Sequence, residues 1–206
     1  LRAGDYDLSI GSVLAMSAVT VAALNVNYGW SVWAAAIVAI FAGMLVGLFN
    51  GFIVTKFDIN PFIVTLGMGT VIVGISYMIS NTRTITGVDP ALSEAVLAKP
   101  FFGIPVDFYY AMLLCVVVWY VFEYTAFGQR LLFIGQNRDV ARLNGVPVSR
   151  SRLLGLTLSA TIASLAGVVY VGTTGSADTT SGAGFLLPAF AAAFLVAMLL
   201  MVLHCW

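Results

Sequence analysis

Residues 128–152, which read GQRLLFIGQNRDVARLNGVPVSRSR, decide how the chain is oriented across a membrane. This stretch holds five of the nine basic residues of the chain and lies between two strongly apolar runs. In membrane proteins a local excess of Lys and Arg in a short loop keeps that loop on the cytoplasmic side. We therefore place the loop 126–152 in the cytoplasm, and this orients every span on either side of it.

A short helix is predicted within this loop. Asn137 can cap the N-terminus of a helix over residues 138–144, and Gly145 suits the left-handed residue that follows such a helix. Pro147 prevents the helix from continuing. A small helix outside the bilayer, on the cytoplasmic side of a membrane protein, is a natural docking site for a soluble partner.

Composition places the chain among integral membrane proteins. Of its 206 residues, 61% are hydrophobic and 9% are charged, whereas soluble domains carry about 25% charged residues. No Asp, Glu, Lys or Arg occurs from Leu8 to Thr55. Two helices fit in that run, because a bilayer span takes about 20 apolar residues. The two cysteines, Cys115 and Cys205, are predicted to be free thiols.

The pattern predicts one all-α domain over residues 1–206, a polytopic helical bundle with about six membrane segments. These segments cover residues 8–24, 31–54, 61–80, 108–125, 153–174 and 183–203. Alternation from the cytoplasmic loop places the Lys56 loop and Arg2 inside, and residues 25–30 and 81–107 outside. The outer segment 81–107 is expected to lie on the membrane surface or to cap the pore.

Two features of the spans carry structural expectations. The first segment is rich enough in Ser and Gly to be broken or re-entrant. Gly43, Gly47 and Gly51 put small residues on one face of the second segment. We expect this stripe to serve close helix packing within the bundle, the alternatives being a subunit interface or a pore-lining groove.

Polar side chains inside the spans are candidates for a substrate pathway, because polar groups are costly in hydrocarbon and tend to face the bundle interior. Asn50 is the strongest mid-membrane candidate, since Ser and Thr hydroxyls can also bond to their own helix. No buried acidic residue is expected at mid-span. Uncharged spans of this kind suit a neutral polar solute such as a sugar. The predicted pathway residues are Ser9, Ser12, Asn50, Thr65 and Thr70.

Catalytic and nucleotide-binding patterns are not found in the sequence. The chain has no Gly-x-x-x-x-Gly-Lys-Ser/Thr loop, its single histidine is His204, and no Cys/His or paired-carboxylate cluster has metal-ligand spacing. We therefore expect no enzyme activity and no metal or cofactor on this chain. ATP, if used, would be bound by a partner subunit, and nucleic acid is not an expected partner.

Four blocks of sequence carry a resemblance to a known family. They are DLSIGS at 7–12, GLFNG at 47–51 with NPFIVTLGM at 60–68, TAFGQR at 125–130 with IGQNRDVARLNGV at 134–146, and ASLAG at 163–167. These blocks resemble the ribose- and xylose-type permease subunits of bacterial ATP-binding-cassette importers, and more distantly the branched-chain amino-acid permeases. The resemblance extends over nearly the whole chain up to Leu195.

The resemblance implies an all-helical permease of the bacterial inner membrane that forms a dimer or pseudo-dimer. Two cytoplasmic ATPase subunits would dock on the short helix, and a periplasmic sugar-binding protein would deliver a ribose- or xylose-like monosaccharide. Arg138 and Arg142 share one helix face, and Ala141 is small enough to allow close approach of a partner groove. The implied ATPase-coupling residues are Gly135, Asn137, Arg138, Asp139, Ala141, Arg142 and Gly145.

The sequence also departs from the family pattern. Asp5 and Tyr6 replace a small and a branched residue, two spans expected before Asp7 are missing, and the residues after Leu195 differ from the Gly-rich stretch of the family. We therefore expect a copy truncated at both ends. Two alternatives to an ATP-driven importer stay open: a partner-independent facilitator or secondary transporter, and a non-transporting remnant.

Overall fold

The computed structural model describes residues 3–99 and 103–204, most of which are helical. The predictions for Arg2 and Cys205 lie outside these ranges. Nine α-helices form within the described ranges: α1 Ile10–Ala22, α2 Val32–Lys56, α3 Pro61–Ser80, α4 Pro90–Leu97, α5 Val106–Tyr124, α6 Ala126–Gln136, α7 Arg138–Leu143, α8 Val148–Thr174 and α9 Ala183–His204. Two short strands, β1 Ile85–Thr86 and β2 Ser176–Ala177, pair antiparallel.

Five helical segments of the described chain are long and apolar enough to cross a membrane, which confirms the polytopic helical class. They are Ile10–Asn27, Val32–Lys56, Pro61–Ser80, Val106–Tyr124 and Val148–Thr174. The sixth predicted segment, residues 183–203, is helical as well, since α9 runs over the 22 residues Ala183–His204. Gly182, just before α9, packs against the backbone of Gly11, so α9 begins beside the first turn of α1.

The first segment is not broken, although a break was one of the two expectations for it. α1 continues without interruption into a π-helical turn, Ala23–Asn27. α1 is also the most buried helix of the bundle, with α2, α3 and α8 packed around it, and Val13, Val19 and Val21 are fully buried. Its small residues therefore serve close packing on all sides, and not a chain break.

The glycine stripe of α2 faces α8, as expected for packing within the bundle. A methyl group on Gly47 would lie 2.7 Å from the Cβ of Ala160, and one on Gly43 would lie 2.5 Å from the Cβ of Ser164. Gly51 meets Leu153 in the same way. Backbones in contact at this distance fix α2 and α8 as a rigid pair beside α1.

The loop that orients the chain is more helical than predicted. The α7 helix and its cap are confirmed: Asn137 Oδ1 accepts hydrogen bonds from the backbone N–H groups of Asp139 and Val140 at 3.0 and 3.1 Å. Gly145 follows α7 with a φ of +77°. Two differences are that residues 126–136 form α6, and that α8 begins at Val148 instead of residue 153. Arg152, expected in a loop, therefore lies on a helix.

The opposite end of the bundle is closed by the pairing of β1 with β2 and by α4. Thr84 Oγ1 donates to Asp178 Oδ2 at 2.9 Å, and bonds from the Thr180 hydroxyl and N–H hold the pKa of Asp178 below its usual range. Asp89 caps α4, whose Leu92 and Val96 are buried against the bundle. The segment before residue 100 therefore packs over the end of the bundle.

Candidate functional site

A buried chain of polar side chains lies at the start of α1. Ser9 Oγ donates to Asp7 Oδ1 at 2.6 Å, and the Ser9 backbone N–H donates to the same oxygen at 3.0 Å. Asn50 Nδ2 of α2 donates to Ser9 Oγ at 3.1 Å. Because the Ser9 hydroxyl gives its one hydrogen to Asp7, it can only accept from Asn50, and this fixes the orientation of the Asn50 amide.

Within this group of hydrogen-bonded side chains, two oxygens have no hydrogen-bond partner among the described residues. They are Asp7 Oδ2 and Asn50 Oδ1, both buried. An unpaired buried acceptor costs roughly 1–3 kcal/mol, and such groups are normally satisfied by water or by a ligand. Asp7 precedes the first span, and burial raises the pKa of its carboxyl, against the hydroxyl groups of Ser9 and Ser159 and the N–H of Ser9, which lower it.

The predicted pathway residues are only partly brought together. Ser9 and Asn50 are in contact, and Thr65 joins them because its Oγ1 accepts from the Leu8 N–H at 3.0 Å. Ser12 lies opposite Gly69 of α3, where a methyl group would come within 3.3 Å of its hydroxyl. Thr70 does not join the group: its side chain is exposed and bonds to the carbonyl of Gly67.

The polar group lies nearer the end of the bundle that carries the Lys56 loop than the middle of the bundle. Asn50 stands six residues before the last residue of α2, and Thr65 four residues after the first residue of α3. At 1.5 Å per residue, these positions lie about 9 and 6 Å from the helix ends. Asn50 is therefore not a mid-membrane residue, although it is fully buried.

A cavity of about 500 Å³ lies beside the same segment, between the start of α1 and helices α5, α6, α8 and α9. Its wall is mostly apolar and includes the rings of Phe122, Phe127, Phe185 and Phe190. The polar side chains that reach it are Asp5, Tyr6, Asp7, Arg152 and Ser159. None of these was among the predicted site residues. The sequence signal that could have identified this segment is the pair Asp5 and Asp7, which lies directly before a long run without charged residues.

A cluster of charges joins the segment before α1 to the cytoplasmic loop. Arg152 is 4% exposed and donates to both carboxylate oxygens of Asp5, from Nε at 2.8 Å and from Nη2 at 3.0 Å. Arg138 of α7 donates to Asp5 Oδ1 at 2.8 Å. Asp58, in the loop after α2, lies 3.7 Å from Arg152. Asp5 thus connects α7 with α8.

The implied coupling residues divide into structural and exposed ones. Asn137 caps α7 and Gly145 ends it, whereas Gly135 and the charged side chains of Arg138, Asp139 and Arg142 are exposed. The expected role of Ala141 is wrong in this structure. Its side chain is fully buried and packs with Leu131, Ile134 and Val148, so it cannot meet a partner. The exposed apolar side chains of α7 are Val140 and Leu143, the latter 87% exposed.

The matching family model and the most similar known proteins agree with one another, since all of them are transport permeases. Residues 1–201 match the family model described as branched-chain amino acid transport system / permease component. The L-arabinose transport system permease protein AraH of Escherichia coli K12 is 31% identical over 91% of this chain and 56% of its own. The fructose import permease protein FrcC of Rhizobium meliloti is 32% identical over 88% and 52%.

The ribose import permease protein RbsC of Bacillus subtilis 168 is 33% identical over 93% of this chain and 60% of its own. The chain thus spans between 52% and 60% of the length of these three relatives. No solved structure matches the chain.

Proposed function

The chain belongs to the family described as branched-chain amino acid transport system / permease component, and on that premise we propose that it is the permease subunit of an ATP-driven monosaccharide importer. It is a multi-pass membrane protein with five helical segments of spanning length in its described residues. Its place would be the bacterial inner membrane, with the loop 126–152 in the cytoplasm.

The observation that carries the proposal is the buried Asn50–Ser9–Asp7 chain, which leaves two oxygens unpaired. Unpaired oxygen acceptors require a ligand that donates hydrogen bonds, as the hydroxyl groups of a sugar do, and the described residues of the site offer no free cation to an anionic ligand. The similar permeases are named for arabinose, fructose and ribose, and we propose a ribose- or xylose-like pentose for this chain. Ser9, Ser12, Asn50 and Thr65 would line the pathway. Thr70 would do so only where a second permease copy covers α3.

The proposed partners follow from the two ends of the bundle. Cytoplasmic ATPase subunits would bind ATP and dock on α7, through Arg138, Asp139 and Arg142 and through the exposed Leu143. A periplasmic sugar-binding protein would deliver the sugar to the other end, where β1, β2 and α4 close the bundle. The chain itself would need no cofactor and would catalyse no reaction.

Reconstitution tests this proposal. The complete permease is placed in vesicles with its ATPase and its binding protein, and uptake of radiolabelled ribose, xylose, arabinose and fructose is measured with and without ATP. Leucine is the control solute. We expect ATP-dependent uptake of at least one pentose and none of leucine. Uptake that is independent of ATP would support a facilitator instead, and leucine uptake would contradict the substrate class.

The docking surface on α7 has its own test. Leu143→Asp places a charge on an 87% exposed leucine, and we expect it to reduce co-purification of the ATPase in detergent about tenfold or more, because a desolvated charge opposes docking. The control, Leu97→Asp, makes the same change on a 42% exposed leucine at the opposite end. Equal ATPase binding by both variants would remove α7 from the interface.

A further inference from the structure

We propose that the cavity beside α1 is a monosaccharide-binding site, in which Asp7 Oδ2 accepts a hydrogen bond from a sugar hydroxyl. This inference rests on the proposed function and names where the substrate is held. The site is distinct from the predicted pathway residues, because none of Ser9, Ser12, Asn50, Thr65 and Thr70 lines the cavity.

The size and lining of the cavity fit a small ligand. Its volume of about 500 Å³ falls within the range of roughly 300–1,000 Å³ that is typical of small-molecule sites. Such sites are mostly apolar and aromatic, with a few polar groups that orient the ligand. The cavity has this composition, since Asp7 and Ser159 interrupt a wall of aliphatic and aromatic side chains.

The hydrogen bonds of Asp7 indicate what the ligand offers. Its Oδ1 already accepts two bonds from Ser9, whereas Oδ2 is buried and accepts none from the described residues. A carboxylate can accept about four hydrogen bonds, so Asp7 has room for a ligand donor even with the Ser159 hydroxyl close by. A hydroxyl group in the cavity would supply one.

The charges around the cavity favour a neutral ligand. The buried Arg152 is already bound by both oxygens of Asp5, so it is not available to an anionic substrate. A carboxylate or phosphate group in the cavity would therefore find no free cation among the described lining residues and would lie close to the carboxyl of Asp7. A sugar brings hydroxyl groups and no charge.

The aromatic part of the wall fits the apolar face of a sugar ring. Tyr6 lines the cavity and stacks on Phe190, with ring centroids 6.5 Å apart. Phe190 in turn lies 6.2 Å from Phe194. Aromatic rings combine a large apolar surface with low conformational freedom. The non-helical backbone before α1 also lines the cavity, through Ala3, Asp5, Tyr6 and Asp7.

Filling the cavity is the first test. Ala189 of α9 lines it, whereas Ala191 does not and projects from the other side of the same helix, about 200° away. In the reconstituted importer, Ala189→Phe should lower uptake about tenfold or more, because a well-packed wall does not accommodate both a ring and a ligand. Ala191→Phe should leave uptake unchanged. Equal uptake by the two variants would overturn the inference.

The role of Asp7 has a separate readout. Asp7→Asn keeps the size of the side chain and the bond to Ser9, but it points an amide donor into the cavity in place of an acceptor. We expect KM for the sugar to rise about tenfold, as for the loss of one hydrogen bond at a buried site, with a smaller change in the maximal rate. A variant with unchanged KM would overturn the assignment of Asp7.

Protection from labelling tests the site without transport. In a background with Cys115→Ser and Cys205→Ser, Ala163→Cys places a thiol in the cavity wall, and Ala191→Cys serves as the control. A sugar that the wild-type importer takes up should slow the reaction of N-ethylmaleimide with the first variant only. Lack of protection by a sugar that the wild-type importer takes up would overturn the site alone. Lack of ATP-driven uptake by the wild type would overturn the proposed function and this inference with it.

Discussion

Asp5 binds two arginines that belong to different parts of the cytoplasmic loop. Arg152 of α8 is buried, and its guanidinium makes two hydrogen bonds to Asp5, whereas Arg138 of α7 is partly exposed and makes one. Removal of a buried partner leaves an uncompensated charge, but removal of the exposed one does not. Movement of α7 can therefore reach the start of α1 through a single side chain, two residues before Asp7.

We predict that Arg138→Gln weakens the link between ATP hydrolysis and transport without unfolding the bundle, because Asp5 keeps its bonds to Arg152. The number of sugar molecules imported per ATP hydrolysed in vesicles should fall severalfold. Arg150→Gln removes the same charge from the cytoplasmic surface and should not change that ratio. The double variant with Asp5→Asn should be no worse than the more severe single variant, as expected for one shared interaction. Additive effects would exclude the link.

Asn50→Leu is predicted to reduce sugar uptake while the ATPase remains bound. Leucine is similar in size but cannot donate to Ser9 Oγ, and the loss of a hydrogen bond to a buried group costs about 1–3 kcal/mol. Uptake should therefore fall about tenfold, with unchanged ATPase co-purification. Phe49→Leu, on the exposed face of the same helix, is the control. Normal uptake by Asn50→Leu would restrict Asn50 to helix packing.

At the scale of the elements, the pair formed by α2 and α8 supports the rest of the bundle. Both are longer than the other helices of the described chain, and they meet along Gly43, Gly47 and Gly51. The outer faces of α2, α3 and α5 carry exposed apolar side chains, including Phe41, Ile63 and Val116. Such faces suit lipid, where backbone proximity and not the hydrophobic effect holds helices together.

Gly47→Ala is predicted to destabilise the permease. Its methyl group would lie 2.8 Å from the Cα of Thr157 and 2.9 Å from the carbonyl oxygen of Leu156, so the backbones must separate. Overpacking of this kind costs about 1–3 kcal/mol. Gly67→Ala on α3 meets no atom within 4 Å and should be neutral or stabilising. Thermal unfolding in detergent measures both, and equal melting temperatures would contradict the packing.

At the scale of the whole molecule, the segments that connect the helices form two groups, one at each end of the bundle. Asp5, Asp58, Arg138 and Arg152 meet at one end. At the other end, β1 pairs with β2, and the Asp89 N–H donates to the side-chain oxygen of Asn25. This grouping agrees with the alternation derived from the basic residues, in which residues 25–30 and 81–107 lie opposite to the loop 126–152.

Cysteine labelling tests the orientation. In a background with Cys115→Ser and Cys205→Ser, the Ser93→Cys variant should react with a membrane-impermeant maleimide from the periplasmic side. The Ser149→Cys variant should react only after the membrane is opened. Both positions are at least partly exposed, so access is not limited by packing. Labelling of both from the same side would refute the topology.

The sequence by itself determined the membrane class, the long apolar helices and the capped helix α7, and its basic residues predict the alternation of the spans. These features depend on properties of short segments: hydropathy over about 20 residues, the local excess of basic residues, and the capping by Asn137 with Gly145 after the helix end. The tertiary structure alone decided that Ala141 faces inward, that Thr70 faces outward and that α9 begins beside Gly11.

It also decided the contacts that make up the candidate site. Asp5 and Arg152 are 147 residues apart in the chain, and Ser9 and Asn50 are 41 apart. Sequence patterns over one or two helical turns describe which face of a helix is apolar, but not which other helix covers it. The partner of each buried polar group, and the cavity beside Asp7, follow from the packing of the other helices around the start of α1, which is a property of the whole chain.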